Sequence, residues 1–311
     1  MAASPHAEAK GYYRLQADHI LVKALHDFGF AQVTGHGINQ QEIDEALALT
    51  EVLFDLPYAD KMRAPHPPGP IPRREYSGIG REKFYSQADV DAHDDEVDIG
   101  QSLRKILDSK ESYEIGSELD PRLCGVGKMI LHAIGIGLGL DGVALTSFME
   151  LVSDRYCQLR LLHHPAISKE KLGSDLLGRL PAHEDWGTFT IVFQDNRGGL
   201  ELKDPVTQAF LKATHQDGAL ILNVGNILQH ASNDYFISAL HRKSVPDPDT
   251  VSPLGIPPRY SIPFFLRPDF SHTVSTLDAF VTEATTAKYS PVGFGQYYSM
   301  MSKNQYQEDS V

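Results

Sequence analysis

A histidine and a carboxylate two positions apart, His183 and Asp185 in Leu180-Pro-Ala-His-Glu-Asp-Trp-Gly-Thr188, are the residues best placed to do chemistry. On an extended segment, side chains two apart project to one face, so this imidazole and carboxylate can occupy adjacent positions on one metal. A third ligand must come from elsewhere. With 14 histidines in the chain a lone His-x-Asp arises easily by chance, so its weight depends on what accompanies it. His241 follows within Ser238-Ala-Leu-His-Arg-Lys-Ser244, and 18 positions later comes the alternating segment Arg259-Tyr-Ser-Ile-Pro-Phe-Phe265. Two imidazoles and one carboxylate leave three coordination positions open, the arrangement suited to non-haem iron(II) and oxygen. Arg259 and Ser261 share a face by the same period of two. A buried guanidinium needs an anionic partner, and its planar fork suits a carboxylate. A keto-diacid would chelate iron at one end and reach Arg259 and Ser261 with the other.

These residues need strands to hold them, and the second half of the chain supplies candidates at 157–164, 188–193, 199–203, 219–224, 236–244 and 259–266. Turns such as Asp195-Asn-Arg-Gly-Gly199 separate them, a pattern of sandwiches and barrels rather than of a doubly wound sheet. The first third reads as helical with short strands. Ile20, Leu21, Ala24, Leu25 and Phe28 mark one helix face, residues 29–33 a short strand, and Asn39 with Glu42 a capping box opening the next helix. Residues 64–72 carry too many prolines for a helix and, with the polar stretch to 88, read as a cover over a site. Residues 124–140 return to helix, and the chain from about 276 reads as helices and a polar tail. Three regions are expected: a helical and mixed segment over 1–150 packing on the core, the metal-bearing core over 151–270, and C-terminal helices over 271–311.

Length and composition, 311 residues with 41% hydrophobic and 22% charged, are those of a chain that buries a sizeable core without staples. The net charge of −13 argues against nucleic acid, whose phosphates call for a basic surface. Two cysteines, Cys124 and Cys157, cannot build a disulfide framework or zinc cluster; Cys157 reads as a buried thiol. No apolar run is long enough for a membrane span and the N-terminus lacks a signal-peptide core, so a cytosolic enzyme is expected, with no obligate protein partner evident.

The combination of motifs resembles the isopenicillin N synthase-like family of iron(II)/2-oxoglutarate oxygenases. The likeness runs through Phe28-Gly-Phe with Thr34-Gly-His-Gly-Ile38, Leu53-Phe-Asp-Leu-Pro57, and Asn223-Val-Gly-Asn-Ile-Leu-Gln229 followed by Ser232-Asn233 and His241-Arg242. Residues 77–83, 110–116 and 158–163 look most like fungal members, many of which act in secondary metabolism. The resemblance implies a mainly β fold, a double-stranded β-helix (jelly roll) core with α-helices around it. It implies Fe(II) on His183, Asp185 and His241, and 2-oxoglutarate with its far carboxylate on Arg259 and Ser261. O2 is then the oxidant, and a small-molecule substrate is hydroxylated, desaturated or ring-modified with release of succinate and CO2. Glu184 stands where the family usually has Thr, and Leu162 and His164 where it often has Asn and Tyr. His164 is therefore expected beside the co-substrate in place of the tyrosine.

For the substrate pocket, the aromatic residues Tyr76, Phe84, Tyr85, Trp186 and Phe189 are candidates, with His230 as a further contact; core packing competes for Phe189. His36 reads as a packing residue, and the acidic run over 93–98 as a solvated face. An oxidase that dispenses with 2-oxoglutarate, as isopenicillin N synthase does, is the alternative chemistry. A non-catalytic ligand-binding jelly roll is disfavoured by the intact triad, and a zinc hydrolase by the lack of His-Glu-x-x-His. Replacing His241 by Ala is expected to abolish turnover while leaving the circular dichroism spectrum unchanged; turnover near wild type would remove His241 from the metal site.

Overall fold

The computed structural model describes residues 18–67, 74–79, 110–116, 121–153, 155–169, 180–244 and 251–305. A first helix (α1) runs over 18–28 and leads into strand β1, Phe30–Thr34. Asn39 then caps α2, Gln40–Phe54, through the expected capping box with Glu42, and a short α3, Tyr58–Lys61, follows. Strands β2 (Glu75–Ser77) and β3 (Glu111–Gly116) precede two further helices, α4 (Pro121–Gly137) and α5 (Gly142–Met149). The main run of strands is β4 (Gln158–His164), β5 (Leu180–His183), β6 (Phe189–Gln194), β7 (Leu200–Lys203), β8 (Phe210–Lys212) and β9 (Ala219–Val224). Helix α6 (Asn226–Ala231), β10 (His241–Lys243), β11 (Arg259–Leu266), the two-residue strands β12 (Thr273–Val274) and β13 (Val292–Gly293), and α7 (Phe294–Gln305) complete the order.

Seven strands form the major sheet in the order β1-β9-β6-β11-β4-β3-β2, and four form the minor sheet in the order β5-β10-β7-β8. Every neighbouring pair is antiparallel, as a jelly roll requires. The segment before residue 151 does more than pack on this core: it contributes β1, β2 and β3 to the major sheet. Residues 236–244, expected as one strand, pair only over His241–Lys243. Positive φ at Asn233 and Asp234 turns the chain there, and Ser232 and Gln229 hold the backbone N–H groups of Phe236 and Ser238. Among the described residues no helix is long and apolar enough to cross a membrane.

The major sheet is buried on both faces, and the two faces differ in chemistry. Phe189, Ile191 and Phe193 of β6, Leu220, Leu222 and Val224 of β9, and Ile262, Phe264 and Leu266 of β11 join the main apolar core. Ile130, Leu131 and Ile134 of α4 and Phe148 of α5 cover them. The alternate residues of the same strands, Thr190 and Gln194, Asn223, Arg259 and Ser261, are polar and also buried. Side-chain alternation with period two therefore sends the apolar set to the helices and the polar set to the space between the sheets.

One close approach locks the loop that carries Asp185 to this frame. The backbone N–H groups of Asn226 and Ile227, in the first turn of α6, donate to the carbonyls of Asp185 and Gly187 at 2.8 and 3.0 Å. The N–H of Gly225 donates to Thr188 at 3.0 Å. A loop thus satisfies the orphan donors of a helix start. A Cβ at Gly225 would meet the Gly187 carbonyl and lie 3.0 Å from that of Asp185, so no side chain fits. Gly225→Ala is expected to cost about 1–3 kcal/mol through this overpacking, read as a lower urea midpoint. An unchanged midpoint would show that the loop and helix do not need their present separation.

Candidate active site

β5 ends at His183, and β10 begins at His241, which is its direct cross-strand partner. The two rings stand with centroids 4.2 Å apart and planes at 50°. Asp185 follows β5 on the loop stitched to α6. One ligand atom from each of these three residues lies within 4.8 Å of the others. Asp185 and His241 are buried and His183 is half-buried.

Asp185 and His241 are held from behind. Thr190 Oγ1 and Asn223 Nδ2 both donate to Asp185 Oδ2 at 2.6 Å, one from β6 and one from β9. Burial alone would raise the Asp185 pKa. The neighbouring His241 and His183 and these two hydrogen bonds outweigh it, so the carboxyl is held below its ordinary value. His241 Nδ1 lies 2.9 Å from the Ala239 carbonyl. That contact requires the proton on Nδ1 and turns Nε2 toward the other ligands. Two imidazoles and an ionised carboxylate are the donor set of non-haem iron(II), and the residues fit that ion.

Ser261 lines the same pocket on β11. Arg259, fully buried, donates from Nη1 to Ser261 Oγ at 2.9 Å, from Nη2 to Gln194 Oε1 at 2.6 Å and from Nε to the Gly198 carbonyl at 2.7 Å. Those partners orient the guanidinium. His164, also fully buried, is the cross-strand partner of Arg259. A second cation, Lys243, donates from Nζ to the same Ser261 Oγ at 3.2 Å. The sequence reading missed Lys243, although it stands two residues after His241 and so on the same face of β10. Lys110 and Arg160 also line this pocket and were missed too.

Of the expected substrate residues, Phe84 and Tyr85 lie outside the described residues, as does the acidic run over 93–98. The structure does not bring the others into the pocket around the triad. Tyr76 packs with Phe54 and Tyr260 on the α2 side of the sheet, and its hydroxyl donates to Glu111 Oε2 at 2.5 Å. Phe189 is one residue out of phase with Thr190 and so faces the helices. Trp186 meets the edge of Tyr298 on α7, with ring centroids 6.1 Å apart. His230 stacks on Tyr289 at 4.8 Å, and burial depresses its pKa against the opposing charge of Asp234. His36 packs against Phe193 as expected, its Nε2 3.2 Å from the Gly218 carbonyl.

Comparison with known proteins agrees with this geometry. Residues 157–268 match the model of the 2OG-Fe(II) oxygenase superfamily, and residues 12–126 match that of the N-terminal region of a non-haem dioxygenase in morphine synthesis. The chain is 32% identical over 304 residues to a 2-oxoglutarate-Fe(II) type oxidoreductase of Metarhizium rileyi, covering 89% of this chain and 82% of that one. It is 33% identical over 308 residues to a proline hydroxylase of Petromyces alliaceus, covering 91% and 90%. The crystal structure of a full-length Neurospora crassa protein in complex with alpha-KG superimposes with a TM-score of 0.77 at 26% identity, covering 93% of this chain and 90% of that one. This chain belongs to the 2OG-Fe(II) oxygenase superfamily. It is an oxidoreductase, a dioxygenase whose cofactors are iron(II) and 2-oxoglutarate, with O2 as the usual co-substrate.

The hydrogen bonds behind Asp185 predict a measurable effect. Partners of metal ligands typically contribute 10–100-fold in affinity. Asn223→Ala is expected to weaken iron(II) binding within about that range in an anaerobic titration, with the far-UV spectrum unchanged. Affinity within twofold of wild type would show that Thr190 alone orients the carboxylate.

Proposed function

We propose that His183, Asp185 and His241 hold the iron, and that the distal carboxylate of 2-oxoglutarate is received by Arg259, Ser261 and Lys243, with His164 in the wall beside it. The observation that carries this reading is the convergence of two cations on one buried hydroxyl in the pocket of the triad. Two like charges that close repel by about 3 kcal/mol at an effective dielectric of about 20. A carboxylate between them reverses the sign of the interaction and takes the Ser261 hydroxyl hydrogen as a further bond.

Iron(II) in such a triad supplies the oxygen chemistry that couples decarboxylation of the keto acid to oxidation of a substrate C–H bond. The chain's own residues do the rest. Thr190 and Asn223 keep Asp185 ionised and turned, Ala239 fixes the His241 tautomer, and Gln194 and Gly198 hold the Arg259 fork in place before any ligand arrives. Val192, Pro263 and Phe265 form an apolar wall that excludes water from the reacting centre. The substrate is a small organic molecule of the secondary-metabolite kind. The proline hydroxylase relative, and the complex of the Neurospora crassa protein with alpha-KG and thymine, support a compact substrate.

Lys243→Met is expected to raise the KM for 2-oxoglutarate by roughly 10–100-fold, the value of one charge-assisted hydrogen bond. Its kcat at saturating co-substrate should change far less. A KM within twofold of wild type would remove Lys243 from the carboxylate site. Succinate released in step with oxidised substrate tests the whole reading, and substrate turnover without succinate would overturn it.

A further inference from the structure

The space between the two sheets turns apolar toward one side. β1 is an edge of the major sheet and β8 an edge of the minor sheet. Phe30 of β1 pairs with Asn223, which pairs in turn with Thr190, so Phe30 continues the inward row that holds Asp185. One inward step along, Gln32, Ile221 and Val192 form the next row. Across the interior, Leu202 of β7 stands between His241 on β10 and Leu211 on β8. The rows that carry the ligands and their partners therefore run out into Phe30 and Leu202 on the side where both sheets end. Leu211 is two strand spacings from His241, roughly 10 Å.

A groove of about 340 Å³ opens on that side. Phe30, Ile221, Leu202, Leu211 and Ala213 give it apolar walls, while Gln32, Lys212 and Thr214, its exposed polar residues, mark the solvent end. Gln32 Nε2 donates to the Thr214 carbonyl at 2.6 Å and ties the two edges together. Phe30 lines both this groove and the pocket of the triad, so the partition there is a single side chain thick. Its ring is buried and meets the His241 ring edge-on, with centroids 6.0 Å apart and planes at 79°. Ile221 from the groove, and Leu200 and Val192 from the pocket, pack with Phe30 in one apolar cluster.

Such a passage selects by polarity. An ion or a keto-diacid would shed its hydration there and find no partner among these side chains. A small apolar gas gives up nothing, and apolar interiors of this kind accept xenon. O2 is the reactant of that character. We propose that O2 reaches the iron through this groove, between the β1 and β8 edges and past the Phe30 ring to the His241 side of the metal. The proposal rests on His241 being an iron ligand. O2 crosses unchanged, so no bond forms or breaks on the way. It need not displace 2-oxoglutarate or substrate already held in the pocket of the triad. Phe30 is the gating side chain, and Leu211 and Ala213 shape the path.

Two gases probe the route. Xenon is applied under pressure to anaerobic crystals of the iron- and 2-oxoglutarate-loaded enzyme, and it is expected to sit against Phe30, Ile221 and Leu202. Nitric oxide, which binds iron(II) where O2 does, is mixed with the same loaded enzyme without oxygen, and its binding is followed by stopped-flow absorption. Leu211→Trp fills the mouth from an exposed position and Ala213→Phe fills the floor. Each is expected to slow nitric oxide binding by about tenfold, the effect of a modest rise in barrier. Affinities for iron and for 2-oxoglutarate should stay within twofold of wild type. A groove that is mere packing, or that admits the organic substrate instead, would leave the nitric oxide rate within twofold in both variants, and this overturns the proposal. Slowing that appears only in step with lost iron affinity overturns it too, as do xenon-loaded crystals with no xenon beside Phe30. Iron binding unaffected by His241→Ala would instead sink the metal assignment on which the proposal rests.

Discussion

A buried carboxylate that must stay ionised constrains much of this molecule. Desolvation pushes Asp185 toward its neutral form, and a neutral acid is a poor ligand for a cation. The neighbouring His241 and His183 and two hydrogen bonds to one of its oxygens reverse that tendency. Supplying those two donors takes two adjacent central strands, β6 and β9, in a register that sets Thr190 against Asn223. Keeping the loop that carries the acid against them takes the start of α6 and a residue without a Cβ at position 225. Sheet order, helix start and glycine are thus consequences of one electrostatic requirement.

A polar interior between two sheets contributes little to stability and has to be held together from outside. The apolar alternate residues of β6, β9 and β11 meet α4 and α5 and provide the burial that folds the domain. This division frees the inner face to carry Arg259, Lys243, Arg160 and His164. In a sheet with one solvated face such a set would be screened by water and its charges worth much less. Buried, each must be matched, and the acceptors around Arg259 on Gln194, Gly198 and Ser261 fix its orientation.

The triad was legible because its parts obey simple periods. His183 with Asp185, and Arg259 with Ser261, are two apart on extended chain, and β11 spans the very residues expected from its alternation. The same rule, applied no further than the motif residues, passed over Lys243 two places after His241 and put Phe189 in the pocket although Thr190 is the inward residue. The aromatic candidates failed for a related reason: aromatic side chains suit both a pocket and a core, and only three-dimensional packing assigns Tyr76 to Phe54 and Tyr260. Segment 236–244 looked like one strand because its hydrophobic content is right. The left-handed backbone at Asn233 and Asp234 and the side-chain hydrogen bonds from Ser232 and Gln229 are tertiary facts with no periodic signature. Lys110 and Arg160 were invisible because a lone cation in a strand reads as surface until its burial is known.

Pro263 connects these levels. A proline in a central strand gives up a ladder hydrogen bond, which is why such residues are rare there. β11 nonetheless lies between β4 and β6, and its pairing with β4 is interrupted over Ile262 and Pro263 before resuming at Phe264. Continuation of the register puts Arg160 beside that gap. With no N–H from residue 263 to bind, the β4 backbone there is released from one constraint, and the adjoining wall is an apolar ring face rather than a flexible side chain.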